Sequence, residues 1–243
     1  MQGRFSHLPD IVKNLLIINA LFFLATWSLQ SRGFDLFKIF SLHQFQSIDF
    51  MPHQLITHMF MHSNFTHLFF NMFTLWMFGK TLENIWGAKR FLTYYLITGF
   101  GAALIYIAYL QFQIHNITSI LDTELVNQVL NASANSQIFA KPAEVSLMQE
   151  LYGLINRPMV GASGAVYGLL LAFGMLFPNS LIYLYMAIPI KAKYFVAGIG
   201  LMSIFSGLSN NPSDNIAHFA HLGGMIFGII LLKYWKKKGD IYF

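Results

Sequence analysis

Three groups of side chains able to do chemistry lie in otherwise apolar stretches of this chain. The first, within residues 50–79, holds His58, His62, His67 and Asn71. The second reads Gly161-Ala-Ser-Gly-Ala-Val-Tyr-Gly168, and the third Ala217-His-Phe-Ala-His-Leu-Gly-Gly-Met-Ile-Phe-Gly228. A serine hydroxyl is a poor nucleophile until a base takes its proton. Ser163 is the candidate nucleophile and His221 the candidate base. His67 and Asn71 are one helical turn apart and share a helix face. Both carry N–H donors suited to an oxyanion, and removing one such donor typically costs about 10² to 10³ in rate. The chain has no cysteine, which excludes disulfides, thiol catalysis and thiolate metal sites.

Each group also has a purely structural reading. Gly164 to Gly168 and Gly224 to Gly228 are small-xxx-small patterns of the kind found where membrane helices cross. Ser163 taken alone is one more small packing residue, and a lone histidine in a helix is an interhelical hydrogen-bonding group. Depth separates the readings. His67 is 13 residues before Lys80, Ser163 is 15 before Pro178, and His221 is 12 before Lys233. At 1.5 Å per residue these are roughly 20, 22 and 18 Å above one face, a shared level about 10 Å below the other. Unrelated packing residues have no reason to share a level, whereas groups of one site do. Close approach at Gly224 and Gly228, facing Gly164 and Gly168, would bring the imidazole to the hydroxyl. A helix starting at Ser163, after Gly161-Ala162, would present unpaired N–H groups to an oxyanion.

The elements that carry these groups are membrane helices. Of the 243 residues, 56% are hydrophobic and 10% charged, against about 25% charged in soluble domains. Six stretches free of Asp, Glu, Lys and Arg are long enough to cross a bilayer: 14–31, 50–79, 91–121, 158–190, 194–213 and 215–232. A further patch, 39–48, is too short to span. With the N-terminus in the cytoplasm, the inner segments hold Arg4, Lys13, Lys80, Lys89, Arg90, Lys191, Lys193, Lys233, Lys236, Lys237 and Lys238. The outer segments hold Arg32, Lys38, Lys141 and Arg157, a split of 11 to 4. That asymmetry accounts for the net charge of +5 without a nucleic-acid partner. The first apolar run has no small-residue cleavage pattern and reads as a retained helix. The expected class is all-α and polytopic, a six-transmembrane-helix bundle over residues 1–238. An outer insertion at about 112–157 joins the third and fourth helices, with short surface helices expected at 122–129 and 143–155.

His67-x-x-x-Asn71, Gly161-x-Ser163-Gly164 and Ala220-His221-x-x-Gly224-x-x-x-Gly228, in this order, resemble the rhomboid family of intramembrane serine proteases. Thr57-His58-x-x-x-His62 and Tyr167 also look like the family. The resemblance covers the whole six-helix core. It implies Ser163 as nucleophile and His221 as general base in a dyad without an acid. It implies an oxyanion hole of His67, Asn71 and the Ser163 backbone N–H, with Tyr167 packed on His221. It further implies hydrolysis of peptide bonds in or beside the transmembrane segments of other proteins, in the lipid bilayer, with no metal or cofactor. The first outer loop, 32–50, departs from the pattern in lacking the Trp-Arg pair of many members. The expected location is the plasma (inner) membrane of a bacterium, multi-pass, with both termini cytoplasmic; the sequence implies no oligomeric state.

Rival readings remain open at this point. His53, His58, His62 and His67 crowd one region, and His58 with His62 has ligand-like spacing for a metal. A catalytically dead relative that escorts helices would have lost Ser163 or His221, and both are present. A transporter with a broken fourth helix would show internal pseudo-symmetry, and none stands out. Asp214, seven residues before His221, is about 10 Å along a helix and too far to orient the imidazole; it reads as an N-cap. Asn116-Ile-Thr and Asn131-Ala-Ser match glycosylation acceptors, a weak signal in a chain of unknown source.

Overall fold

The computed structural model of the chain describes residues 8–131, 141–184, 187–209 and 218–239. Helix α1 spans Asp10–Gln30, following Pro9, whose ring blocks continuation upstream. Its first-turn N–H groups at Ile11 and Val12 donate to the two carboxylate oxygens of buried Glu83, at 3.0 and 2.8 Å. A negative charge on a helix N-terminus is favourable twice over, through the hydrogen bonds and through the helix dipole. Short helices α2 (Leu36–Phe40) and α3 (Gln54–Thr57) follow, the second running into a 3₁₀ turn at His58–Phe60. Helix α4 (Phe65–Thr74) is capped by Asn64 and continues through one π turn, Leu75–Gly79, into α5 (Lys80–Trp86). Gly87, at φ +78°, ends it. Then come α6 (Ala88–Thr118), α7 (Thr123–Leu130), α8 (Pro142–Asn156) and α9 (Ser163–Leu176). An antiparallel hairpin, β1 (Leu181–Leu184) and β2 (Ile188–Lys191), precedes α10 (Ala192–Leu208) and α11 (His218–Lys237).

The helical class stands, with two departures. The charge-free stretch 158–190 is not one span. Its helix is α9, 14 residues long, and the remainder turns at Pro178-Asn-Ser and returns as the hairpin. Among the described residues only α1 and α6 are long and apolar enough to cross a membrane by that test alone, with α9 and α10 apolar but shorter. Large apolar side chains nevertheless face outward, such as Trp27 at 74% and Phe205 at 77% exposure. Apolar surface on this scale needs an apolar medium.

Helix α6 runs through the centre, packed against both α9 and α11. Small residues set these contacts. A Cβ on Gly164 would overlap Ala102, one on Gly168 would lie 2.7 Å from Thr98, and one on Gly228 would overlap the Tyr94 hydroxyl. Tyr94, fully buried, donates to the Gly168 carbonyl at 2.9 Å, so its polar end is satisfied where no water can reach it. At 31 residues α6 is about 46 Å long, more than the ~30 Å of hydrocarbon. Its outer end supplies Ile114 and Ile117 to a separate apolar cluster with Leu125 and Val129 of α7 and Met148, Leu151 and Ile155 of α8. This cluster is the insertion expected between the third and fourth helices.

The loop over residues 41–50 is tied down from below. Buried Gln54 accepts from the His43 N–H at 3.3 Å and donates to the carbonyls of Lys38 and Asp49 at 3.0 and 2.7 Å. Gln44 donates to the Ile107 carbonyl of α6 at 3.3 Å.

Candidate active site

Ser163 is the first residue of α9. The segment leading into it is held on two sides. Leu42 and Met159 exchange backbone hydrogen bonds at 2.9 and 2.8 Å, and the Gly161 N–H donates to the His58 carbonyl at 2.9 Å. Gly161 has φ +119°, a conformation that side-chain-bearing residues rarely adopt. This turn lets the helix begin at Ser163. The Val166 N–H donates to the Ala162 carbonyl at 3.0 Å, so the N–H groups of Ser163, Gly164 and Ala165 have no acceptor within the helix.

His221 stands in the first turn of α11, and its Nε2 is 2.9 Å from Ser163 Oγ. Ser163 is half-buried and His221 buried. The approach of the two helices rests on Gly224, where a Cβ would overlap the Gly164 carbonyl. The pairing expected one turn further along is different. Gly168 and Gly228 do not meet; Gly168 faces Thr98, and the Tyr94 hydroxyl of α6 contacts Gly228 while bonding the Gly168 carbonyl. The central helix therefore wedges α9 from α11 below the level of the dyad. Tyr167 stacks on the His221 ring, with centroids 4.0 Å apart and planes 12° from parallel. His218 meets the same imidazole edge-on at 6.1 Å.

His67 enters from α4. The edge of its ring carrying Cε1 and Nε2 lies 2.7 Å from where a Cβ on Gly161 would be, and that same point is 3.7 Å from Ser163 Oγ. The missing side chain at Gly161 thus leaves a small hollow between an imidazole nitrogen and the serine hydroxyl. Asn71 is buried, and its amide donates to the His67 carbonyl at 3.0 Å, which occupies one of its two N–H donors. The other three histidines in this region are turned to other ends. His53 and His58 bond the carbonyls of Ile39 and Gln54, at 2.7 and 2.9 Å, and His62 sets its ring edge-on to His67 at 5.1 Å. Among the described residues no three His, Asp or Glu side chains converge as metal ligands would. Asp214 lies outside the described residues.

Sequence reasoning missed the parts that act through backbone: Leu42, Met159 and the His58 carbonyl. It also missed Ser63, whose Oγ is 3.2 Å from His67 Nδ1. A serine four residues before a histidine at a helix start was the available signal.

Comparison with known proteins agrees with this arrangement of elements. The Rhomboid domain family matches residues 49–237, more than half of the chain. Rhomboid-like protein 16, chloroplastic, of Arabidopsis thaliana is 25% identical over 222 residues, covering 90% of this chain and 60% of its own length. Rhomboid protein 1, mitochondrial, of Saccharomyces cerevisiae is 26% identical over 178 residues, 73% of this chain and 40% of its own. Rhomboid protease AarA of Providencia stuartii is 28% identical over 183 residues, 71% of this chain and 52% of its own. The chain therefore spans between two-fifths and three-fifths of these relatives. Their names point to chloroplast and mitochondrion, which does not favour the bacterial inner membrane expected above.

Proposed function

The chain belongs to the rhomboid family, and on that premise we propose that it is an intramembrane serine endopeptidase that cuts transmembrane segments of other proteins with a Ser163–His221 dyad. The reading is carried by the 2.9 Å approach of His221 Nε2 to Ser163 Oγ, between side chains 58 residues apart on different helices. Among the described residues the apolar surround gives such a pair little structural reason to exist, because buried polar groups in a membrane protein are costly and functional by default.

The steps follow from the atoms. Neutral His221 accepts the Ser163 proton at Nε2 as Oγ attacks the scissile carbonyl carbon. Negative charge develops on the carbonyl oxygen. The Ser163 N–H at the start of α9, the His67 ring and the remaining Asn71 N–H are the donors placed to hold it. Collapse of the tetrahedral intermediate passes the proton from His221 to the leaving amine and leaves an ester on Ser163. Water, deprotonated by His221, then hydrolyses that ester. Tyr167 holds the imidazole plane through both halves by stacking, a contact worth about 0.5–1.5 kcal/mol. Because a helical carbonyl is sterically covered, the substrate helix must unwind locally before attack. The domain is read as one six-helix membrane unit over 1–238, with both termini on the lysine-rich face.

The direct test is cleavage of a single-span protein in proteoliposomes by wild type, Ser163→Ala and His221→Ala. Each variant is expected to fold and to cleave nothing. Full proteolysis by Ser163→Ala would end the reading.

A further inference from the structure

The turn into α4 holds a closed circuit of hydrogen bonds that ends on the His67 ring. The His67 backbone N–H donates to Asn64 Oδ1 at 2.9 Å. This fixes the Asn64 amide, since only its oxygen can accept, and leaves its nitrogen to face the other way. Asn64 Nδ2 in turn donates to Ser63 Oγ at 3.3 Å. One lone pair of Ser63 is thereby occupied, and its hydroxyl proton remains to be given. The acceptor at hand is His67 Nδ1, 3.2 Å away.

A neutral imidazole carries one N–H and one bare nitrogen, and the partner of the one decides the state of the other. If Nδ1 accepts from Ser63, the proton is on Nε2. Nε2 is the atom that lines the hollow at Gly161, beside Ser163 Oγ. We propose that Ser63 is a positioning residue that holds His67 in the Nε2–H tautomer, so that the ring donates into the oxyanion hollow. In the opposite tautomer Nδ1–H would donate to Ser63, and the Nε2 lone pair would face an oxygen gaining negative charge. His62, edge-on to His67 at 5.1 Å, fills the space beside the ring and restrains it from turning over. This inference rests on the protease reading above for its catalytic consequence, but not for the tautomer itself.

The test has two arms. The first measures kcat and KM for a transmembrane peptide in proteoliposomes, with Ser63→Ala and Ser63→Thr in wild-type and His67→Ala backgrounds. Ser63→Ala is expected to lower kcat about tenfold, the effect of one hydrogen bond, with KM unchanged. Ser63→Thr keeps the hydroxyl and restores kcat. In the His67→Ala background Ser63→Ala changes nothing further, because its target is gone. The second arm records ring-nitrogen NMR of protein labelled with ¹⁵N-histidine, His67 being assigned by its loss in His67→Ala. Wild type is expected to show a protonated Nε2 and a bare Nδ1, and Ser63→Ala a mixture. The proposal is overturned by wild-type kcat in Ser63→Ala, by an equal fall in the His67→Ala background, or by a bare Nε2 in wild type. If wild type cleaves nothing, the protease reading falls, and the NMR arm alone still decides whether Ser63 sets the ring.

Discussion

Gly161→Ala puts one methyl group into the hollow beside the serine. Two effects add. At φ +119° a side chain strains the backbone, a cost of order 1–3 kcal/mol for such conformations. The new Cβ would also stand 2.7 Å from Cε1 and Nε2 of His67, well inside contact distance. The imidazole must move, and its donor leaves the hollow. Loss of one oxyanion donor lowers kcat by about 10² to 10³, which is roughly 2.7–4 kcal/mol of transition-state stabilisation. The strain should appear separately as a melting temperature lower by roughly 2–4 °C per kcal/mol. The assay is kcat and KM on a transmembrane peptide in proteoliposomes, beside thermal unfolding in detergent. KM should stay close to wild type, because the lost interaction belongs to the transition state. In a His67→Ala background the added methyl should cost much less turnover while still lowering the melting temperature. Wild-type kcat in Gly161→Ala would refute the placement of the oxyanion in this hollow.

Other expectations follow from single contacts. Asn71→Ala should lower kcat more than it changes KM; normal kcat with weakened binding would contradict its part in the oxyanion hole. Tyr167→Phe keeps the ring stacked on His221 and should retain activity, whereas Tyr167→Ala should lose about 3- to 10-fold in kcat, the worth of the stack. Equal activity in both would show that the stack does not hold the imidazole. Gly224→Ala would press a methyl into the Gly164 carbonyl and force α9 and α11 apart, so proteolysis should vanish in a protein that still folds as a helical unit by circular dichroism. Glu83→Ala removes a charged cap from two N–H groups of α1 and should destabilise the protein by roughly 3 kcal/mol, read from thermal unfolding. An unchanged melting temperature would mean that α1 is held by packing alone.

The dyad was legible because its chemistry needs particular residue types in particular surroundings. A hydroxyl between glycines and an imidazole before a glycine pattern, both at one depth, left few structural explanations for Ser163 and His221. The two surface helices of the insertion were legible for a similar reason, since charged and polar residues return after a long apolar run. The hairpin was not. Residues 158–190 lack charge throughout, and the absence of charge cannot distinguish a helix from a pair of strands. Pro178-Asn-Ser was the turn signal that the charge count passed over. Nor could the helix-crossing pattern reveal which small residues meet. Gly164 finds Gly224, but the next pair is parted by Tyr94, and nothing in the spacing of four points to a third helix. Contacts made through backbone, such as Leu42 with Met159, leave no residue-type signature at all.

Labelling by a fluorophosphonate tests the central claim without a known substrate. Such a probe forms a bond with a serine only when a neighbouring base has made it nucleophilic. Purified wild type should carry one adduct, located at Ser163 by mass spectrometry of its peptides, and both Ser163→Ala and His221→Ala should carry none. An adduct on another residue, or equal labelling of the His221→Ala protein, would contradict the account.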